Sequence, residues 1–403
     1  MRSGPRIYNL FPSLIGSIDY WSTHLPRIAA MGFDWVYVNP FHETGYSGSL
    51  YAVRDYFALN PLFRGEARVD DDALLRGFVD DARRHGLSVM MDLVVNHTAR
   101  DAAFAREHSE WYVRDARGEI VSPSATDPAD PTNITVWTDL AALDWSDRPA
   151  RGAMLAAYAE IVRHHAGLGF RGFRCDAAYK VPVDVWRALI GAAREVDPGT
   201  IFAAENLGAP MEAVLALRPA GFDYLFNSSK WWDFRAAWLL EQYERFRHIA
   251  PSIAFPESHD TPRLAAELQG KSDAEIEQEY RFRYLFAAFF STGIMMPAGY
   301  EYGFDRPLDV VMTRPLHWQK PRFDISRFVA EVNAMKARVP ALNEEGPERA
   351  VWAQPPALGL LRSATAGSSY AVALLNADSS CSAAVDASAV LASLDGAGDA
   401  RDV

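Results

Sequence analysis

The chain has 403 residues, 49% of them hydrophobic and 23% charged, which is enough apolar material for one large globular core with a small appendage. A formal charge of −12 argues against nucleic acid as a partner and is compatible with a neutral polyhydroxylated ligand. Only two cysteines occur, Cys175 and Cys381, so a disulfide framework is not expected. No run is long enough to span a bilayer, and the N-terminus lacks the apolar stretch of a signal peptide, so residence in the cytoplasm is the expectation.

In chain order, Arg6–Phe11 and Trp35–Asn39 read as the first two strands, joined by an amphipathic helix around Trp21–Met31. Leu87–Leu93 is the third, entered from a charged helix over Asp70–His85. The stretch from 98 to 145 is rich in Pro, Asp and Thr and longer than an ordinary connection, which predicts a small inserted subdomain. Alternation resumes with a helix over Arg151–Ala166 and strands at Phe170–Cys175, Thr200–Ala204, Phe222–Phe226, Ser252–Phe255 and Gly293–Met296. Eight strands alternating with helices predict an α/β fold, a closed (β/α)8 TIM barrel built from residues 1–97 and 146–342. After a helix over Ile325–Arg338 the pattern shifts to short alternating runs, which predicts a C-terminal antiparallel β domain over 343–403, its last residues frayed.

Four of these strands end in polar clusters: Asp92-Leu93-Val94-Val95-Asn96-His97, Gly172-Phe173-Arg174-Cys175-Asp176, Ala204-Glu205-Asn206 and Glu257-Ser258-His259-Asp260. A barrel delivers its catalytic groups from the C-terminal ends of its strands, so Asp176, Glu205 and Asp260 are expected to converge. One neutral and one ionised carboxyl about 5 to 5.5 Å apart are what a retaining glycoside cleavage requires.

Together the four segments resemble the α-amylase family (glycoside hydrolase family 13), and the resemblance runs from about Arg6 to Leu342. It implies Asp176 as nucleophile, Glu205 as general acid/base and Asp260 as the carboxylate that orients sugar hydroxyls. Arg174, on the same face as Asp176, is expected to keep that carboxyl ionised, while repulsion from Asp176 and Asp260 raises Glu205. The resemblance further implies substrate contacts from His97 and His259, and from Tyr51 in Gly48-Ser49-Leu50-Tyr51-Ala52-Val53-Arg54-Asp55-Tyr56, whose ring would stack on the sugar. Arg174 stands in the same group, as does Asp92, with the alternative that Asp92 holds its loop and Arg174. Trp231 and Trp232 are candidates for acceptor subsites, and Glu301 reads as structural.

The opening segments Arg6-Ile7-Tyr8-Asn9-Leu10-Phe11-Pro12 and Phe33–Pro40 are similar to the branch that transfers maltosyl units from maltose 1-phosphate to glucan. Many α-amylases bind calcium through a histidine carbonyl after the nucleophile. Lys180 stands at that position here and Asn96 is a single hard-oxygen ligand, so no metal or other cofactor is expected to be required, with calcium the open alternative. The expected function is retaining hydrolysis of α-1,4-linked glucan or maltooligosaccharide. Transglycosylation, including maltosyl transfer from maltose 1-phosphate, is the alternative, and a non-catalytic sugar-binding or assembly barrel the remote one. Oligomeric state is not readable from these residues.

Overall fold

A computed structural model describes residues 4–392 except 67, 127–129, 131, 366, 368 and 379. Eight parallel strands close into a barrel in strict chain order: β1 (Arg6–Leu10), β2 (Trp35–Val38), β3 (Ser88–Leu93), β4 (Gly172–Cys175), β5 (Ile201–Ala204), β6 (Tyr224–Phe226), β7 (Ser252–Ala254) and β8 (Gly293–Pro297), with β8 returning to β1. Each lies within two residues of the expected bounds, because a barrel strand buried on both faces is a short apolar run between turn signals.

The two faces of each strand go to different cores. Ile7, Tyr37, Met90, Ala203, Phe226, Ile253 and Met295 fill the barrel, while Phe173, Cys175 and Phe202 pack outward against the helices. Gly172 is required by this filling, since a Cβ there would stand 2.9 Å from the Trp35 ring and 3.1 Å from Met90 Cβ. With the period of two, Gly172, Arg174 and Asp176 share the inner face, so the strand that admits Trp35 at its base carries charge at its mouth.

The helices begin and end where the chain provides for it. The helix Asp71–Arg84 is capped by Asp70, whose side chain accepts from the Ala73 amide at 2.7 Å, and Ser272 with Glu275 forms a capping box before Asp273–Phe290. The segment after β3 folds as two small antiparallel pairs, His97–Ala99 with Leu140–Ala142 and Ser124–Thr126 with Ile134–Val136. A second excursion that the sequence pattern did not reveal follows β2, where His42–Thr44 pairs with Val53–Leu59 and presents Tyr51.

At the other end, β9 (Glu348–Gln354), β10 (Ala357–Ser363) and β11 (Tyr370–Asn376) form an antiparallel sheet. Its Arg362, fully buried, donates to the carbonyls of Ala341 (2.9 Å), Phe290 and Glu344 and to Thr292 Oγ1 (3.0 Å), fastening the sheet to the barrel. The expected fraying of the tail concerns residues beyond 392, outside those described. Among the described residues no helix is long and apolar enough to cross a membrane.

Candidate active site

Arg174 organises the mouth of the barrel. Its guanidinium, 4% exposed, lies 2.8 Å from Asp176 Oδ1, 3.1 and 3.2 Å from the two oxygens of Asp92, 3.7 Å from Asp260 Oδ2 and 4.0 Å from Glu205 Oε2. Asp92, Asp176, Glu205 and Asp260 are thereby gathered from the ends of β3, β4, β5 and β7. Register does the placing: Arg174 pairs with Asp92 on one side and Ala203 on the other. The Glu205 amide donates to the Cys175 carbonyl at 3.0 Å, which puts Asp176 and Glu205 at the ends of neighbouring strands, whose ordinary spacing is about 5 Å.

Glu205 is held at both oxygens. Oε2 accepts from the Ala177 amide at 2.9 Å and Oε1 from the Leu207 amide. Ala177 makes this contact from a left-handed backbone, φ +41°, a conformation that a non-glycine residue adopts at some cost. Burial pushes the Glu205 pKa up to about 7, with Arg174 opposing and repulsion from Asp176 and Asp260 adding to the rise. The expected repulsion is therefore second to desolvation. Burial raises Asp176 as well, and the Arg174 ion pair pulls it back.

The two imidazoles are neutral. Burial lowers His97 to about 4 and, together with Arg174, lowers His259 to about 3. His259 Nε2 lies 2.6 Å from the Tyr51 hydroxyl and 3.1 Å from Asp260 Oδ2. Because that hydroxyl donates to Asp92 Oδ2 at 2.6 Å, it accepts from His259, which places the imidazole hydrogen on Nε2. The Tyr51 ring stacks on His259 at 5.8 Å with 7° between planes. His97 Nε2 lies 3.1 Å from the Tyr51 carbonyl and pins the loop that carries this ring.

Three of the candidates for substrate contact are enclosed by protein. Asp92, 1% exposed, accepts from Arg174, Tyr37 and Tyr51, the arrangement expected of its alternative reading, in which it holds Arg174 and the loop in place. Arg174 is likewise enclosed by carboxylates and positions them. Trp232 is 2% exposed, stacked on Phe286 at 5.3 Å with its indole N–H on the Ala236 carbonyl at 2.7 Å. It is core, because the turn at 229–232 directs it against the helix Asp273–Phe290. Its neighbour Trp231 is 54% exposed. Glu301 is structural as expected, accepting from Tyr8 and Arg27.

Sequence reasoning missed Tyr37 and Asn39, which donate to Asp92 and to the Tyr51 hydroxyl, although both lie on the inner parity of β2. It also missed the cleft floor of Leu207, Phe226, Phe255 and Met295, contributed by separate strands and loops.

The described residues show no cluster of side chains built for a calcium ion. The Asn96 side-chain oxygen is buried without a partner, but such an ion takes six to eight oxygens, and among the described residues no three His, Cys, Asp or Glu could hold a metal. Lys180 instead reaches across to the Ser124 carbonyl at 2.9 Å.

Comparison with known proteins agrees with this geometry. Residues 5–114 match the family described as glycogen debranching enzyme, glucanotransferase domain. The α-1,4-glucan:maltose-1-phosphate maltosyltransferase of Burkholderia pseudomallei is 30% identical over 401 residues, 97% of this chain and 34% of that protein. The enzyme of the same name from Myxococcus xanthus is 27% identical over 348 residues, 80% of this chain and 50% of that protein. The likeness seen in the opening segments thus extends along nearly the whole chain, which spans about a third to a half of these relatives. The noncanonic maltogenic α-amylase AmyB of Thermotoga neapolitana superposes with a TM-score of 0.71 at 23% identity, covering 93% of this chain and 85% of that one. The chain is similar to the α-amylase family in motifs and in fold. Within that α-amylase-like barrel, the four strand-end segments named from sequence occupy one mouth.

Proposed function

We propose that the chain is a retaining α-glycoside hydrolase of the α-amylase type acting on α-1,4-linked glucan or maltooligosaccharide. The observation that carries this reading is the pairing of Asp176, ion-paired to Arg174 at 2.8 Å, with Glu205 at about 7 on the adjacent strand. Protonated Glu205 gives its proton to the glycosidic oxygen while the Asp176 carboxylate forms a bond to the anomeric carbon, and the leaving sugar departs as an alcohol. Glu205, now ionised, takes a proton from an incoming hydroxyl, whose oxygen displaces Asp176. Asp260, beside His259, is suited to bind hydroxyls of the sugar being cleaved, with the Tyr51 ring against its face.

Transfer to a sugar acceptor is the second reading, favoured by the maltosyltransferase relative that matches along 401 residues. The two differ only in whether water or a sugar hydroxyl reaches the covalent intermediate. We further propose that no metal ion is required, that residues 98–145 form a unit inserted in the barrel, and that the protein works in the cytoplasm.

Incubation with maltoheptaose, with and without maltose 1-phosphate, tests the reading when products are resolved by length. Shorter sugars alone mean hydrolysis, and longer or cyclic products mean transfer. Loss of all products in Asp176→Ala, with partial rescue by azide on an activated donor, is expected. No product from the folded wild-type protein under any of these conditions would leave only the sugar-binding barrel.

A further inference from the structure

The last of the four strand-end segments contains a carboxylate that the reaction leaves unused. Glu257 and Arg263, 0% and 1% exposed, bracket the stretch that carries His259 and Asp260 beyond β7. Glu257 Oε1 accepts from Arg263 Nη1 at 2.7 Å and Oε2 from the Leu264 amide at 2.8 Å, so one side chain at the start of the loop grips two consecutive residues at its end. Inside the ring so closed, the Ser258 amide donates to Thr261 Oγ1 at 2.9 Å and the Asp260 amide to Ser258 Oγ at 3.2 Å. Arg263 also donates from Nη2 to the Ala298 carbonyl at 2.8 Å and from Nε to the Arg306 carbonyl at 3.2 Å, both in the chain that follows β8. Ala298 in turn donates its amide to the Asn9 carbonyl of β1 at 2.9 Å, which anchors the clasp to the barrel rim. The Asp260 side chain is 46% exposed and lies 3.1 Å from His259 Nε2 and 3.7 Å from Arg174, so its place is set mainly by the backbone that carries it.

We propose that Glu257 is a positioning residue for the reaction, acting with Arg263 to hold the loop that sets Asp260 against the sugar being cleaved. This rests on the reading of Asp176, Glu205 and Asp260 given above. Hydrogen bonds to sugar hydroxyls that strengthen at the transition state are worth most when the acceptor already stands in place, and a misplacement of about 1 Å can cost on the order of a hundredfold. A loop fixed only at its ends would leave Asp260 that freedom. Closing it with a buried ion pair, and tying the pair to β8 and β1, removes it.

The test is a double-mutant cycle on the full chain, with maltoheptaose and an aryl α-maltoside as donors. Glu257→Gln keeps the shape but cannot accept from Arg263 and Leu264 at separate carboxylate oxygens. It is expected to lower kcat about tenfold on both donors with KM within about twofold, the pattern of an interaction made at the transition state. In an Asp260→Asn background, assayed on the aryl donor, no carboxylate is left to position, and adding Glu257→Gln should cost about twofold or less. Glu257→Leu combined with Arg263→Met removes both charges together, so that neither is buried alone, and should give the same result in both backgrounds. A loss that multiplies through unchanged in the Asp260→Asn background, a loss carried by KM, or no loss at all would overturn the proposal while leaving the roles of Asp176 and Glu205 standing. A folded wild-type protein inactive on both donors would overturn the proposal and the functional reading together.

Discussion

Glu205→Gln separates what the site does for catalysis from what it costs the fold. Its pKa stands at about 7 in the folded chain against an ordinary value of 4.5, so the folded state holds this proton more tightly than the unfolded one. The stability tied to that difference is fully present below pH 4.5 and is lost as pH rises through 7. Between pH 5 and 8 the loss is about 2 to 3 kcal/mol, from the free-energy equivalent of a pKa difference of this size. At ~2.1 cal/mol/K per residue a chain of this length unfolds with an entropy of about 0.8 kcal/mol/K, so the loss corresponds to about 3 °C in Tm. Glutamine cannot accept from both the Ala177 and Leu207 amides and so carries a fixed penalty, but that penalty does not vary with pH. The quantity to measure is therefore the Tm of Glu205→Gln minus that of the wild type, by scanning calorimetry at pH 5, 6, 7 and 8. It should climb by about 3 °C across the series while activity on maltoheptaose is nearly abolished throughout. A difference that stays flat with pH would refute the assignment of a raised pKa to this carboxyl.

The same shift predicts the basic limb of the rate profile. With the proton lost from Glu205 near pH 7, kcat/KM should fall about tenfold per unit above it, and a plateau to pH 9 would exclude Glu205 as the acid. Products released early from an α-linked substrate should be the α-anomer by proton NMR, because Asp176 and Glu205 stand on adjacent strands, whereas first-formed β-anomer would contradict a covalent intermediate. Dialysis against EDTA should leave Tm within about 1 °C, since a tightly held ion would contribute several kcal/mol; a large drop reversed by calcium would show that Asn96 has partners the fold conceals. Arg362→Met strips Glu345 and Glu348 of their buried cation and three carbonyls of a donor, and should cost about 3 to 5 kcal/mol. A Tm change under about 1 °C would show that the C-terminal sheet is not fastened there.

The barrel was legible because its strands carry two signals at once, an apolar run and a polar end, and because parity along a strand is rigid. Arg174 and Asp176 two apart must share a face, whatever the loops do. The hairpin of His42–Thr44 with Val53–Leu59 carried neither signal, as its pairing shifts register twice and its residues are only partly buried. Trp231 and Trp232 were indistinguishable in sequence, since adjacent residues in a turn differ only in which one the neighbouring helix covers. Phe226, Phe255 and Met295 read as core and are core, yet they also floor the cleft. A barrel makes its site from the top layer of its own filling, so apolar site residues leave no separate trace.

One guanidinium against four carboxyls determines how this site must be protonated. His97 and His259 are held neutral at about 4 and about 3, and Lys180, hydrogen-bonded to Ser124, acts on Asp176 and Glu205 only from a distance, so among the described residues Arg174 is the cation within 4.0 Å of Asp92, Asp176, Glu205 and Asp260. Four ionised carboxylates would leave a net charge of minus three at the base of the cleft, which a desolvated site does not tolerate. The geometry assigns the charges unequally. Asp92 receives two phenol hydroxyls and the guanidinium, Asp176 receives the same guanidinium at 2.8 Å, and Asp260 has a side chain 46% exposed to water. Glu205 is left with two backbone amides and the longest distance to Arg174, 4.0 Å. Each of its oxygens keeps a second lone pair free, so it can carry a proton without giving up either amide. The carboxyl farthest from the guanidinium and nearly closed to water is the one suited to hold the proton, and two backbone amides fix its orientation.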